Sequence, residues 1–144
     1  MKIGIIGLGV VGSANKYGFE KVGHKVLVHD IKLKTNIDNI KDSKIVFLCV
    51  PTPSNKNGSC NTSLVEKTLS DLDKINYEGI ICIRSSTEPG FTEKAIKKFK
   101  NKKICFVPEF LRERMAKKDF INNHELLAVG TRYKKVFDQV VKAH

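Results

Sequence analysis

Residues 2–12, KIGIIGLGVVG, carry a short apolar run straight into three glycines spaced Gly7-x-Gly9-x-x-Gly12, and helical spacing follows at once. Few local patterns constrain a fold more tightly. A strand that turns directly into a helix needs a tight turn at Gly7, close approach of a ligand to the backbone at Gly9, and close packing of helix on strand at Gly12. The first N–H groups of that helix, at Val10 and Val11, have no partner within the helix. They favour an anion over the turn, such as a pyrophosphate.

The next apolar run, Lys25-Val-Leu-Val-His-Asp30, ends in a carboxylate about eighteen residues beyond Gly12, close to the offset at which a dinucleotide site places an acid against the adenosine ribose. A carboxylate there accepts hydrogen bonds from a ribose diol and repels a 2′-phosphate, so NAD is expected over NADP. Lys32 and Lys34 temper that repulsion, and Lys34 is included among the expected cofactor residues.

A chain of 144 residues is one domain's worth: large enough for a real core, small for a dehydrogenase that must also hold a second substrate. No apolar run approaches membrane-spanning length, and the N-terminus is a strand without the layout of a cleavable signal. A cytoplasmic protein with no membrane partner is expected. Cys49, Cys60, Cys82 and Cys105 lack metal-site or redox spacing, so no metal is expected, and the three in apolar runs (Cys49, Cys82 and Cys105) read as core thiols. The net charge of +11 invites a nucleic-acid reading, but only four of the 26 basic residues are Arg and the lysines are scattered, without interleaved aromatic motifs. A solvated, lysine-rich surface is the better reading, and no nucleic-acid partner is expected.

Apolar runs recur at residues 2–6, 25–30, 45–50, 79–84, 103–107 and 126–129, which implies six strands. Helical spacing fills 10–22, 63–75, 91–100 and 132–143, whereas 31–44 is short, polar and irregular with a single helical turn. Alternating strands and helices require a parallel sheet with right-handed crossovers. The expected fold is α/β: a single doubly wound (Rossmann) domain over 1–144 with a six-stranded parallel sheet, ordered 3-2-1-4-5-6 by analogy. Ligands in such sheets sit beyond the carboxyl ends of the strands. That directs attention to Cys49-Val-Pro-Thr-Pro53, to Ser85-Ser86-Thr87 and to Pro108-Glu-Phe-Leu-Arg-Glu113.

These motifs, GLGVVG, FLCVPTPS, RSSTEPGFT and VPEFLRERMAKKDF, stand in the order found in the UDP-glucose 6-dehydrogenase family, which includes GDP-mannose and UDP-N-acetylmannosamine dehydrogenases. Over essentially its whole length the chain resembles the N-terminal, NAD-binding domain of that family. The resemblance implies oxidation of a nucleotide sugar's C6 alcohol to a carboxylate with two NAD, through a covalent thiohemiacetal on a cysteine. It implies that Glu109 serves as the proton-transfer or water-organising carboxylate, and that Glu113 positions the sugar nucleotide. It places Phe110, Leu111 and Arg112 along the substrate, Val50, Pro51 and Thr52 along the nicotinamide side, and Ser86 or Thr87 as the hydroxyl that holds the attacking water. A rival reading of Glu109 and Glu113 is that they are acids favoured in the first turn of a helix.

Val107, Arg114 and Asn61 depart from the family pattern, which has Asn, Gly and Asp there; Arg114 either clashes with substrate or salt-bridges Glu113. The family's nucleophilic cysteine lies in a downstream domain beyond a central helix, and none of the four cysteines here matches it. A thiohemiacetal demands that thiol, so the chain is expected to be the cofactor portion of a nucleotide-sugar dehydrogenase. It would be incomplete alone and completed by a missing half or a second chain. The alternative is a free-standing dinucleotide-binding module with a sensing or regulatory role.

Overall fold

A computed structural model describes residues 1–101, 103–122 and 126–144. Five short runs rich in Ile and Val form parallel strands: β1 (Lys2–Ile6), β2 (Lys25–His29), β3 (Ile45–Leu48), β4 (Ile80–Ile83) and β5 (Ile104–Phe106). The inner strands are buried on both faces, which is why they read as unbroken apolar runs and not as alternating ones. Period-2 alternation still sorts their side chains. Ile3, Ile5, Ile45, Phe47, Ile80 and Cys82 point to one face, and Ile6, Val46, Leu48, Ile81 and Ile83 to the other.

Helices cover both faces, each through an apolar stripe at helical spacing. On the first face lie α1 (Val10–Lys21), α4 (Ala116–Asn122) and α5 (Lys134–Ala143), the last inserting Val136, Val140 and Ala143. On the second lie α2 (Ser63–Lys74), with Val65, Leu69 and Leu72, and α3 (Phe91–Lys98), with Phe91 and Ala95. One departure from the family pattern lies just before α2: Asn61 Oδ1 accepts the Ser63 N–H at 3.0 Å in an Asx turn, a bond that an Asp carboxylate would accept equally.

Two expectations are corrected. The sheet has five strands, not six, because residues 126–129 form no strand; the following Gly130 makes only an isolated antiparallel bridge to Phe106, with N–H···O distances of 2.8 and 3.0 Å. With only three residues, β5 offers a further strand a short edge for pairing.

The strand order is β2-β1-β3-β4-β5, not 3-2-1-4-5-6. Residues 31–44 hold no strand. They form two 3-10 turns, Ile31–Leu33 and Ile37–Ile40, and Ile40 is fully buried as the chain crosses to β1's other side and enters β3 there. The consequence is functional. Successive crossovers leave β1 in opposite directions, so the topological switch point, where such sheets bind ligands, lies between the carboxyl ends of β1 and β3.

Candidate dinucleotide site

The turn after β1 is built as its glycines require. Gly7 has φ +90, and a Cβ there would stand 2.7 Å from the Cys49 carbonyl oxygen of the neighbouring strand exit. A Cβ on Gly12 would lie 1.8 Å from the Gly7 carbonyl oxygen, so helix and turn are in direct backbone contact. Gly9 differs: nothing lies within 4 Å of its Cβ position, which leaves that side of the backbone open to a ligand. Gly9 caps α1 with no side-chain bond, and the N–H groups of Val10 and Val11 open the helix beside it.

Asp30, at the tip of β2, is tied to this turn. Its Oδ2 accepts the Leu8 N–H at 2.6 Å and its Oδ1 accepts the Lys32 N–H at 2.7 Å. The Leu8 bond is the chief reason that the carboxyl is held below its ordinary value of 3.8, with Lys32 adding to the pull and burial opposing it. Each carboxylate oxygen accepts more than one bond, so the acid can brace the turn and still meet a ribose diol. Lys34 is exposed in the left-handed region at φ 52, closing the 3-10 turn beyond Asp30.

Over the switch point lies a cavity of about 260 Å³. It gathers Gly9, Val10 and Val11 from the first turn, Val50, Pro51 and Thr52 from the β3 exit, Ser86 from the β4 exit and Glu109 from the β5 exit. Ser85 fastens these walls together. Buried at the end of β4, it donates from Oγ to the Val50 carbonyl at 2.7 Å. The loop from Thr52 to Asn61 turns at Gly58 (φ 81), bridges Ser54 to Cys60, and is held to the β4 exit by the Cys60 thiol, which donates to the Ser86 carbonyl at 3.3 Å.

Other expected site residues lie elsewhere. Thr87 faces a separate hollow at the start of α3, whereas Ser86 lines the cleft together with Ser85 and Thr52. Glu113 lies in a 3-10 turn (Glu113–Met115) and lines a hollow against Val10 and Ser13, away from Glu109. The segment from Pro108 to Arg112 is irregular and no helix begins at Glu109, so the two acids do not share one helical turn; Glu109 Oε2 instead accepts the Leu111 N–H at 2.7 Å. Phe110 is 65% exposed. Arg112 turns back to the buried Asp119, through Nε at 3.0 Å and Nη2 at 2.7 Å. Arg114 and Glu113 form no ion pair among the described residues.

Sequence reasoning passed over Arg84 and Asp119. Arg84 ends the run IICIR, and a cation closing a buried strand was the signal for it. Burial pushes the Cys49 thiol up to about 12 against the pull of Arg84, so it is neutral near pH 7. Cys82 and Cys105 face each other across β4 and β5 at 3.4 Å, fully buried, and all four thiols are free. No group of metal-ligating side chains occurs among the described residues, and no described helix is long and apolar enough to cross a membrane.

A parallel sheet with a glycine turn at its switch point and a carboxylate at the tip of the neighbouring strand defines a dinucleotide-binding domain. The profile of the UDP-glucose/GDP-mannose dehydrogenase family, NAD binding domain, matches residues 31–143. The chain belongs to that family and corresponds to its NAD-binding domain. Uncharacterized protein MJ1054 of Methanocaldococcus jannaschii is 34% identical across 76% of this chain and 13% of its own length. The UDP-glucose 6-dehydrogenase of Campylobacter jejuni is 29% identical across 78% of this chain and 37% of its own. Among solved structures, GDP-mannose dehydrogenase from Pseudomonas aeruginosa superposes with a TM-score of 0.84 at 22% identity, and UDP-glucose dehydrogenase from Pyrobaculum islandicum with 0.83 at 18%. Each covers 99% of this chain, which in turn spans 44% and 43% of theirs; these two likenesses show the shared fold. The chain thus spans well under half the length of these relatives.

Proposed function

We propose that this chain holds NAD across the crevice between β1 and β3 and acts as the cofactor portion of a nucleotide-sugar dehydrogenase, completed by a substrate and cysteine-bearing portion in a longer chain or a second one. The observation that carries the reading is the single cavity joining the open Gly9 face and the α1 start to the β3 exit, Ser86 and Glu109. The residues present fit the cofactor. Free N–H groups and Gly9 suit the pyrophosphate, Asp30 the ribose diol, Lys34 the outer rim, and Val50, Pro51 and Thr52 the nicotinamide side. When bound, NAD supplies the hydride acceptor.

In this reading Glu109 takes the proton of the sugar's primary alcohol, and Ser86 holds the water that supplies the second oxygen of the acid. Phe110, Leu111 and Arg112 are assigned to the sugar nucleotide, with Glu113 in a positioning role outside the cleft. Four free thiols and no disulfide suit a reducing, cytoplasmic compartment. Calorimetric titration with NAD and NADP tests the cofactor assignment, and NAD is expected to bind the more tightly. Equal affinities, or no binding of either, would overturn it. Mixing the chain with NAD and UDP-glucose should yield no sustained NADH, because Cys82 and Cys105 are sealed in the core, Cys49 is neutral, and the Cys60 thiol is turned onto the Ser86 carbonyl at the loop rim.

A further inference from the structure

Beside the dinucleotide cleft lies a second cavity, of about 240 Å³, bounded by Pro108–Leu111, by Asp119 and Phe120 of α4, by Leu126 and Leu127, and by His144 at the end of α5. Arg84 and Glu109 line both spaces. Arg84 is only 6% exposed and is fixed by its surroundings: the guanidinium lies 5.2 Å from the Phe47 ring and 5.7 Å from Phe120. Its Nη2 donates to His144 Nε2. His144 Nδ1 lies 2.9 Å from the Val140 carbonyl.

Buried guanidinium groups are normally met by a carboxylate. None of the described carboxylates reaches this one at ion-pair distance, and its buried Nε has no acceptor. Of the other two charged side chains on the wall, Asp119 is paired with Arg112, while Glu109, one oxygen of which accepts the Leu111 N–H, acts on Arg84 only from beyond ion-pair distance. The planar, preorganised fork of an arginine matches a carboxylate, and the Phe and Leu walls suit a carbon skeleton.

We propose that Arg84 is the recognition residue of a carboxylate-binding subsite in this second cavity, which adjoins the dinucleotide cleft at Arg84 and Glu109. The choice of a carboxylate over an inorganic anion rests on the function proposed above, since oxidation of a primary alcohol beside Glu109 ends in that group.

The test uses nitrogen-15 NMR of the intact chain, whose four arginine Nε–H signals report each guanidinium separately. Titration with glucuronate should shift the Arg84 Nε–H signal saturably, at least about tenfold more tightly than glucose, and with no matching response to inorganic phosphate. Arg84→Met should abolish the binding. Arg84→Lys, followed by the Leu126 and Leu127 methyl signals, keeps the charge without the fork and should retain weakened binding, which guards against a variant that merely unfolds. An unmoved Arg84 signal, equal affinity for phosphate, or unchanged binding in Arg84→Met would each overturn the subsite. NAD binding without glucuronate binding would sink this site alone; the reverse would sink the proposed cofactor role and leave this site standing.

Discussion

The turn after β1 and the segment after β5 both feed Glu109's cavity, yet they are made in different ways. The first is built from consecutive backbone: Gly7, Gly9, Gly12 and the opening N–H groups of α1, with Asp30 as the one distant brace. The second is an irregular strap from Pro108 to Arg112, held by side chains that meet only after folding, such as Arg112 on Asp119. Backbone turns leave their geometry in residue spacing. Side-chain assemblies leave mainly composition, and substitutions should therefore act differently in the two regions.

The sharpest break should come within the turn itself. Gly12→Val drives a side chain into the Gly7 carbonyl, whose oxygen would lie 1.8 Å from its Cβ and, being backbone, cannot rotate away. A loss of more than about 3 kcal/mol is expected, seen as a collapsed thermal melt. Gly9→Val, three residues earlier, meets empty space and should melt within about 1 kcal/mol of the parent while losing NAD affinity by about a hundredfold or more. Normal NAD affinity in Gly9→Val would remove the pyrophosphate from this turn.

An intermediate effect is expected where α4, which follows the strap, meets α1. A Cβ on Gly18 would lie 1.9 Å from the Phe120 ring, so Gly18→Ala sets a helix-propensity gain of about 1 kcal/mol against a ring that must move. Overpacking of this kind costs about 1–3 kcal/mol and should win, lowering Tm while leaving NAD affinity within about twofold. A stabilised variant would show that α4 yields freely, and the strap would then have no fixed seat.

Asp30 links the two halves of the dinucleotide site and can be read through pH. Its carboxyl is held below 3.8, so the tie to Leu8 is complete above the ordinary carboxylate range and is lost as pH falls through the lowered folded value. As far as this group is concerned, stability and NAD affinity should be flat between about pH 8 and 5 and decline only below about 4. Asp30→Ala should narrow the preference for NAD over NADP without unfolding the domain. A preference unchanged by that substitution would mean that the acid only braces the turn.

The same contrast explains what could be read in advance. Four of the five helices lay within a residue or two of their expected bounds, because Val65, Leu69 and Leu72, or Val136, Val140 and Ala143, repeat at helical spacing. The side of β1 on which β3 lies was misjudged. Order is set by where the crossover buries Ile40, and periodicity does not record that. The 126–129 run had the composition of a strand without a partner edge long enough to pair. At the strap, PEFLRE marked the family, but which acid faces the cleft was settled by an Asp119 seven residues past Arg112. Arg84 escaped notice because an arginine ending an apolar run looks like a strand emerging into solvent, whereas α4 and α5 close over it.

The smallest expected effect concerns the thiols, and it sharpens the contrast between sealed core and assembled rim. Cys49 stands at the exit of β3 with its thiol pushed up to about 12 by burial, so it stays protonated near pH 8. Cys82 and Cys105 are fully buried between β4 and β5. Cys60 sits on the loop rim, half-buried like Cys49, with its thiol on the Ser86 carbonyl. A colorimetric disulfide reagent should therefore titrate one thiol per folded chain within minutes and four after denaturation, with Cys60→Ser removing the fast one. Ser86 borders the cleft, so saturating NAD should slow that reaction by steadying the loop. Fast reaction at two or more thiols would mean that burial does not hold Cys49 protonated or does not shield Cys82 and Cys105, and the contrast between core and rim would fail.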